Sequence, residues 1–202
     1  MLNVEFYLYL FLLINWAIYA INTLYQNYRM KKFMPNKKIE ILTVPFYIFF
    51  LLSFYVLIKR IAEFFLTSGV GDVLSVSFWT TISIVIGIVF CLSSIILFSY
   101  VNFFDKSFPS CIAVKNNKPL KGIYKYVRHP SYYIFFFITF GNVFCLLDKY
   151  LLVWAIINHV CLYFYYMIEE NQMRKTNYDY DKYLKKSNRF LPNFLKITAN
   201  NN

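Results

Sequence analysis

The chain has 202 residues and a formal net charge of +11; 59% of its residues are hydrophobic and only 15% are charged. Soluble domains average about 45–50% apolar and about 25% charged residues, so a soluble globular domain of this size is close to excluded. Disordered, collagen-like and disulfide-dense chains need other compositions, and five Gly disfavour a nucleotide-binding sheet with glycine-rich turns.

Five apolar stretches approach the length of about 20 residues that one membrane crossing needs. The predicted spans cover residues 6–26, 41–58, 76–98, 132–147 and 150–168. Because these runs are continuous rather than alternating, they predict helices and not strands. The sequence therefore predicts an all-α, polytopic membrane bundle in which residues 1–202 form a single integral membrane domain, with a cytoplasmic tail at 169–202.

Two of the spans admit a second interpretation. The first could be a cleaved signal peptide, but no Lys or Arg precedes it and Glu5 lies where a positive region is expected, so we predict a retained helix. The fourth has sixteen residues and could be a buried or re-entrant helix. Only Asp148 and Lys149 separate it from the fifth span, which favours a tight helical hairpin.

The basic residues are concentrated in three segments. Eighteen of the 21 Lys and Arg residues lie within 29–38, 106–128 and 174–196. With five spans these segments fall on one side, which by the positive-inside rule predicts an outside N-terminus and a cytoplasmic C-terminus. The net charge is then mainly a topology signal that suits anionic membrane lipid, and it does not indicate nucleic acid.

Two other features carry little functional signal. Cys91, Cys111, Cys145 and Cys161 show no CxxC spacing and no paired His, so we expect free thiols and no metal site. The stretch Gly69-Val70-Gly71-Asp72 resembles half of a nucleotide-binding loop, but it lacks a third Gly and a following βαβ pattern.

A basic and aromatic segment directly precedes the fourth span. It reads Gly122-Ile123-Tyr124-Lys125-Tyr126-Val127-Arg128-His129-Pro130-Ser131-Tyr132. Pro130 suits a first helical turn, which places His129 near the N-cap, beside free backbone N–H groups that attract anions. The simpler interpretation is a basic, aromatic anchor at the membrane interface.

Two adjacent acids, Glu169 and Glu170, follow the fifth span. At a helix C-terminus they would oppose the helix dipole at an apolar boundary, so stability alone does not explain them. A cationic ligand would explain them, and so would pairing with Arg128. Because the hairpin turn is short, the acids and the Arg128–Tyr132 stretch are predicted to be neighbours. Such a site suits a zwitterionic ligand with an additional cation.

The whole pattern resembles a known family. GxYxxVRHPxY, a two-helix hairpin, Glu-Glu, the pair Tyr180 and Tyr183 and a closing Leu-Pro are similar to the isoprenylcysteine carboxyl methyltransferase family, which is related to membrane phospholipid methyltransferases. The resemblance covers about residues 119–194. It implies an enzyme that uses S-adenosyl-L-methionine, needs no metal and methylates a lipophilic or prenylated acceptor, with carboxyl O-methylation of a prenylcysteine-like substrate as the expected reaction.

The resemblance also implies roles for individual residues. The expected catalytic residues are Arg128 and Glu170, and the expected cofactor-binding residues are Tyr124, His129, Tyr132, Glu169 and Glu170. Because polar residues inside a span are functional candidates, His159 is expected to line the acceptor cavity together with Tyr165 and Tyr166. Helix–helix hydrogen bonding is the alternative for His159, and packing is the alternative for the two Tyr.

Three positions depart from the family pattern. Ile134 stands where Gly is frequent, Thr176-Asn177 stand where Phe-Gly is usual, and Tyr165 or Tyr166 stands where members acting on prenylcysteine tend to carry Arg. These departures do not fall on the expected cofactor-binding residues, and the last of them argues against a prenylcysteine acceptor. Phospholipid amine N-methylation is therefore an alternative.

Two further alternatives belong to other functional classes. Membrane sterol reductases use NADPH and share RHPxY, but they usually read RHPNY and carry a Trp-rich tail, whereas no Trp follows residue 169 here. A non-catalytic membrane scaffold is the other. Binding of S-adenosylhomocysteine, of NADPH or of neither distinguishes the three classes.

Overall fold

The computed structural model describes residues 4–30, 44–67, 78–104, 122–176 and 180–190. These residues form six α-helices and, between α3 and α4, two short turns. The helices are α1 (Val4–Met30), α2 (Val44–Thr67), α3 (Phe78–Ser99), α4 (Pro130–Leu146), α5 (Lys149–Thr176) and α6 (Tyr180–Lys186). A π-helical turn, Tyr100–Phe104, continues α3, and a 3₁₀ turn, Gly122–Lys125, comes before α4. Gly69–Asp72, Cys111 and the tail from residue 191 lie outside the described residues.

Four helices are long and apolar enough to cross a membrane. They are α1, α2, α3 with its π-helical turn, and α5. Helix α4 is apolar but shorter, with 17 residues. The predicted fold class, an all-α polytopic helical bundle, is confirmed over the described residues.

Two helices extend beyond the predicted spans. Helix α2 continues past Ile58 to Thr67, and Lys59 and Arg60 each lie 3.7 Å from Glu63 on the same exposed surface. Such i,i+3 and i,i+4 pairs let a helix carry charges without ending. Helix α5 continues past residue 168 to Thr176, so Glu169 lies inside the helix rather than at its C-terminus.

Ring contacts define how the first two helices run. Phe6 of α1 contacts Phe64 of α2, with ring centroids 6.4 Å apart, and Trp16 contacts Phe50 at 4.3 Å. Residue numbers rise along α1 as they fall along α2, so these helices are antiparallel. By the same reasoning α1 and α3 are parallel, because Tyr25 contacts Phe103 at 5.0 Å and Tyr19 contacts Phe98.

One buried cluster joins helices α1, α2, α3 and α4 near one end of the bundle. It contains the residues Tyr19, Phe46, Phe98, Val101, Tyr124, Ile134 and Ile138. They come from the later part of α1, the start of α2, the end of α3 with its π-helical turn, the 3₁₀ turn and the first half of α4. The ends of α1 to α4 that adjoin the first two basic segments therefore lie at one end of the bundle.

Helices α3 and α4 pack through small residues. A Cβ at Gly87 would lie 2.6 Å from Sγ of Cys145 and 2.9 Å from the carbonyl oxygen of Gly141, and a Cβ at Gly141 would lie 2.7 Å from Sγ of Cys91. Only glycine fits at both positions, as in other membrane helix pairs with small residues at the contact. Farther along, the Ser94 hydroxyl donates to the carbonyl of Ile134 at 3.0 Å, across the same pair of helices.

The hairpin between α4 and α5 is as tight as the sequence predicts. Leu147 closes α4 in the left-handed region, with φ 51°, and its N–H donates to the carbonyl of Val143 at 2.8 Å. Asp148 then caps α5, because its Oδ1 accepts the N–H groups of Tyr150 and Leu151 at 2.8 and 3.0 Å. The turn returns the chain along α4 and brings the end of α5 back to the start of α4.

Candidate active site

The start of α4 is held in place by the segment that follows α6. We call this segment, residues 187–190, the docking segment. Its carbonyls at Asn188 and Arg189 accept the backbone N–H groups of Arg128 and His129, at 3.0 and 3.2 Å. His129 is the N-cap residue of α4 and Pro130 is its first residue, as predicted. The docking segment therefore satisfies backbone donors that come directly before the helix.

The Glu170 carboxylate lies at the centre of a charged cluster. Oε1 accepts Nε of Arg128 at 2.8 Å and contacts Nε2 of His129 at 3.0 Å, while Oε2 accepts Nε and Nη2 of Arg189 at 3.0 and 2.7 Å. The Glu170 side chain is only 2% exposed. Both of its oxygens are thus used by protein groups, and the carboxylate raises the pKa of the Arg189 guanidinium above its ordinary value.

The Arg128 side chain is used in the same way. Besides Glu170, it donates to the carbonyl oxygens of Leu184, at 3.2 Å, and Ser187. It is 11% exposed, whereas Arg189 is 28% exposed. Arg128 therefore joins α5 to the end of α6, and Arg189 is the guanidinium with more surface free for a ligand.

Glu169 has a different environment from its neighbour. Its nearest ion-pairing contact among the described residues is Nδ1 of His129, at 3.7 Å, and its side chain is 17% exposed. That distance is too long for a direct hydrogen bond. Glu169 is consequently the acid of the pair whose carboxylate has no side-chain hydrogen bond to another described residue.

Aromatic rings cover the charged cluster on the side that faces the hairpin. The Phe190 ring packs on Tyr132, with centroids 4.4 Å apart, and Tyr166 packs on His129 at the same distance. The Tyr166 hydroxyl is hydrogen-bonded to Ser131 at 2.8 Å, and the Tyr133 hydroxyl donates to the carbonyl of Phe190. These contacts fix the orientation of the aromatic faces.

Helix α6 packs against the segment that leads into the charged cluster. The rings of Tyr180 and Tyr183 lie 5.7 Å apart, as their spacing of one helical turn predicts, and the Tyr183 hydroxyl donates to the carbonyl of Tyr124 at 3.0 Å. Burial raises the pKa of both tyrosines above the ordinary value, which keeps them neutral. Tyr124 itself is buried in the cluster that joins the helix ends.

A groove of about 470 Å³ opens on the exposed apolar surface of the hairpin. Its lining residues are Tyr132, Phe136, Phe140, Ile156, His159, Val160, Tyr163 and Phe164. Tyr132 belongs both to this groove and to the aromatic cover of the charged cluster. A single aromatic layer therefore separates the charged cluster from a surface that suits lipid chains.

The predicted site residues are distributed over three places. Arg128, His129, Glu169 and Glu170 meet in the charged cluster, as the short hairpin predicts. His159 and Tyr132 line the groove. Tyr166 instead lies against His129, with Tyr165 edge-on to it at 5.3 Å, and Tyr163 is the tyrosine of α5 that lines the groove.

Sequence reasoning did not assign a role to Arg189 or Phe190, although both complete the site. Arg189 donates two hydrogen bonds to the Glu170 carboxylate. Its guanidinium carbon lies 5.9 Å from the centroid of the Tyr163 ring. The signal that could have found Arg189 is the need of two adjacent acids for more than one cation. Phe190 had no comparable signal, because the sequence is rich in Phe.

The fold and this site define a polytopic membrane protein whose last helical hairpin carries a charged cluster at one end and a lipid-facing groove on its side. Residues 84–175 match the model of the isoprenylcysteine carboxyl methyltransferase (ICMT) family. The match runs from within α3 through α4 and nearly all of α5, and it confirms the predicted family resemblance. It supports a membrane methyltransferase acting on a lipophilic substrate. No curated protein matches the chain, and no solved structure does.

Proposed function

We propose that the protein transfers a methyl group from S-adenosyl-L-methionine to a lipophilic acceptor that enters from the bilayer. One observation supports this most directly. Glu169, which has no side-chain hydrogen bond to another described residue, lies in a charged cluster that one aromatic layer separates from a lipid-facing groove. The family match covers both Glu169 and the groove.

The residues present fit this cofactor by their chemistry. Glu169 offers a carboxylate to its ammonium group, and the guanidinium of Arg189 has surface available for its carboxylate. Tyr132 and Phe190 offer aromatic faces to its purine. When bound, S-adenosylmethionine supplies a methyl group activated by a positively charged sulfur. The aromatic cover would keep water from the reacting groups.

We assign positioning roles to Arg128 and Glu170, rather than the catalytic roles expected from the resemblance. Their charged atoms are already bonded to each other and to neighbouring groups. Breaking those bonds to hold a ligand would leave charge buried without a partner, which is costly. The pair instead holds α5, the start of α4 and the docking segment in one arrangement, which keeps His129 and Glu169 in place.

The acceptor is proposed as a prenylcysteine-like carboxylate, with a phospholipid amine as the alternative. A carboxylate needs no general base, only positioning and charge compensation, and the positively charged sulfur of the bound cofactor would supply that compensation. Methyl transfer from labelled cofactor into a membrane extract, followed by identification of the product, distinguishes the two. A base-labile methyl ester supports the carboxylate, and a methylated headgroup supports the amine.

We also propose that the end of the bundle with the charged cluster faces the cytoplasm. All three basic segments adjoin this end, and the positive-inside rule places such segments in the cytoplasm. The N-terminus is then outside and the C-terminus is cytoplasmic. This orientation exposes the candidate cofactor site to the compartment that contains S-adenosylmethionine.

Ligand binding tests the proposal against the reductase and scaffold alternatives. At about 100 times its Kd, S-adenosylhomocysteine should stabilise the solubilised protein by about 2.7 kcal/mol. Glu169→Gln should remove most of this stabilisation, whereas the matched control Glu63→Gln, on the exposed surface of α2, should retain it. Stabilisation by NADPH, or by neither ligand, contradicts the proposal.

A further inference from the structure

His159 carries a hydrogen-bond acceptor that no described group uses. It lies inside α5, and its Nδ1 is 2.7 Å from the carbonyl oxygen of Ala155. A carbonyl oxygen only accepts, so Nδ1 bears the proton and Nε2 of the neutral ring presents a lone pair. Within the part of the chain that the structure describes, Nε2 is buried and has no hydrogen-bond partner.

An acceptor in this position is costly unless something pairs with it. Most buried polar side-chain atoms have a partner, and an unpaired one loses the full hydration free energy of the group. Helix–helix hydrogen bonding, the alternative considered from the sequence, does not account for Nε2 among the described residues. A polar side chain within a span that remains unpaired is a candidate for ligand binding.

The surroundings of His159 indicate where such a ligand would lie. The side chain is 9% exposed and forms part of the wall of the lipid-facing groove. Its ring contacts Tyr132 at 5.5 Å, Phe136 at 5.6 Å and Phe140 at 5.2 Å, all of which also line the groove. The groove is thus apolar and aromatic, with one buried basic nitrogen in its wall.

We infer that the groove binds a lipid whose polar part carries an O–H or N–H group, and that this group donates to Nε2 of His159. The lone pair of Nε2 attracts a donor and repels oxygens that only accept, so it selects among lipids of equal length. A prenylcysteine-like acceptor would therefore meet Nε2 with an N–H group of its cysteine part and not with its carboxylate. Tyr132 connects the groove with the charged cluster. The identity of this lipid as the methyl acceptor rests on the proposed function, whereas its binding does not.

The donor must pass the aromatic wall to reach Nε2. Tyr163 and Phe164, which also line the groove, are 40% and 51% exposed, and exposed side chains change rotamer within nanoseconds. Rotation of these two rings therefore changes the width of the groove. In the bilayer no water competes for Nε2, which favours the bond with a lipid donor.

A matched pair of ligands tests the inference. The protein is placed in nanodiscs of phosphatidylcholine, a lipid without O–H or N–H groups, and its affinities for 4-dodecylphenol and 4-dodecylanisole are compared. The anisole has a methyl group in place of the hydroxyl hydrogen, so it lacks the donor and is otherwise the same molecule. We expect the phenol to bind about five- to tenfold more tightly, the difference that one neutral hydrogen bond makes. Equal affinities would overturn the inference.

Three variants assign the preference to His159. His159→Phe keeps an aromatic ring without an acceptor and should bind both ligands equally. His159→Gln restores an acceptor and should regain part of the preference. Ser93→Ala removes a hydroxyl that is bonded within α3 and does not line the groove, and it should leave the preference unchanged. A preference that survives in His159→Phe, or disappears in Ser93→Ala, contradicts the assignment.

Binding of S-adenosylhomocysteine to the same nanodiscs separates this inference from the proposed function. If the protein prefers the phenol but does not bind S-adenosylhomocysteine, the proposed function is contradicted and the lipid site is supported. If it binds S-adenosylhomocysteine without preferring the phenol, the lipid site is contradicted and the proposed function is supported.

Discussion

Arg189 and Glu170 form a two-bond ion pair between the docking segment and α5, with Nε and Nη2 of Arg189 at 3.0 and 2.7 Å from Oε2 of Glu170. The other oxygen of Glu170 is bonded to Arg128 and His129. One buried carboxylate thus joins three parts of the chain that lie far apart in sequence.

The first prediction concerns the stability of the two adjacent acids. Glu170→Gln should lower the free energy of unfolding by about 3–5 kcal/mol, because it leaves Arg128 and the partly exposed Arg189 without their counter-charge. Glu169→Gln should cost much less, since its one ion-pairing contact with a described residue is the 3.7 Å contact with His129. Thermal unfolding of the two variants in the same detergent checks this, and equal losses would contradict the assignment of Glu170 as the structural acid.

The second prediction concerns the contact between α3 and α4. Gly87→Ala should destabilise the protein by about 1–3 kcal/mol, because the added Cβ would overlap Sγ of Cys145 and the backbone of α4. Ser93→Ala is the matched control on α3, because the Ser93 hydroxyl donates within its own helix, at 2.8 Å to the carbonyl of Val89, and to no other described residue. If thermal unfolding shows both variants to be equally stable, the close approach of the helices is wrong.

The third prediction concerns orientation in the membrane. Lys149 and Lys175 are exposed at opposite ends of α5. In a background with Cys111 and Cys161 replaced by Ser, Lys149→Cys should react with a membrane-impermeant maleimide in intact cells. Lys175→Cys should react only after the cells are opened. The reverse pattern would place the charged cluster outside, and labelling of both residues in intact cells would show that α5 does not span.

The sequence predicts the parts of the site that local rules govern. Pro130 at the start of α4 and Asp148 at the start of α5 follow from helix-end preferences. The short turn between the helices then brings Arg128 and Glu170 together, so their proximity follows from chain connectivity.

Other parts depend on contacts that no local rule contains. Arg189, which pairs with Glu170, lies on the docking segment, after a separate helix. The backbone hydrogen bonds between the docking segment and residues 128–129 depend on the tertiary fold. Only glycine fits at position 87, because a Cβ there would overlap atoms of α4, which lie more than 50 residues later in the chain. The end of α5 was also missed, because apolarity marks the membrane boundary and not the end of the helix.

The central claim is that the charged cluster binds S-adenosylmethionine for methyl transfer and that the Glu169 carboxylate contacts this cofactor. Binding and methyl transfer, measured on the same variants, test it. The wild-type protein, Glu169→Gln, His129→Ala and the control Glu63→Gln are assayed for S-adenosylhomocysteine affinity and for transfer of labelled methyl groups into membrane lipid. We expect binding and transfer to be retained in Glu63→Gln and to fall at least tenfold in the other two variants while they remain folded. Folded Glu169→Gln and His129→Ala proteins that bind and transfer as well as the wild type would contradict the account.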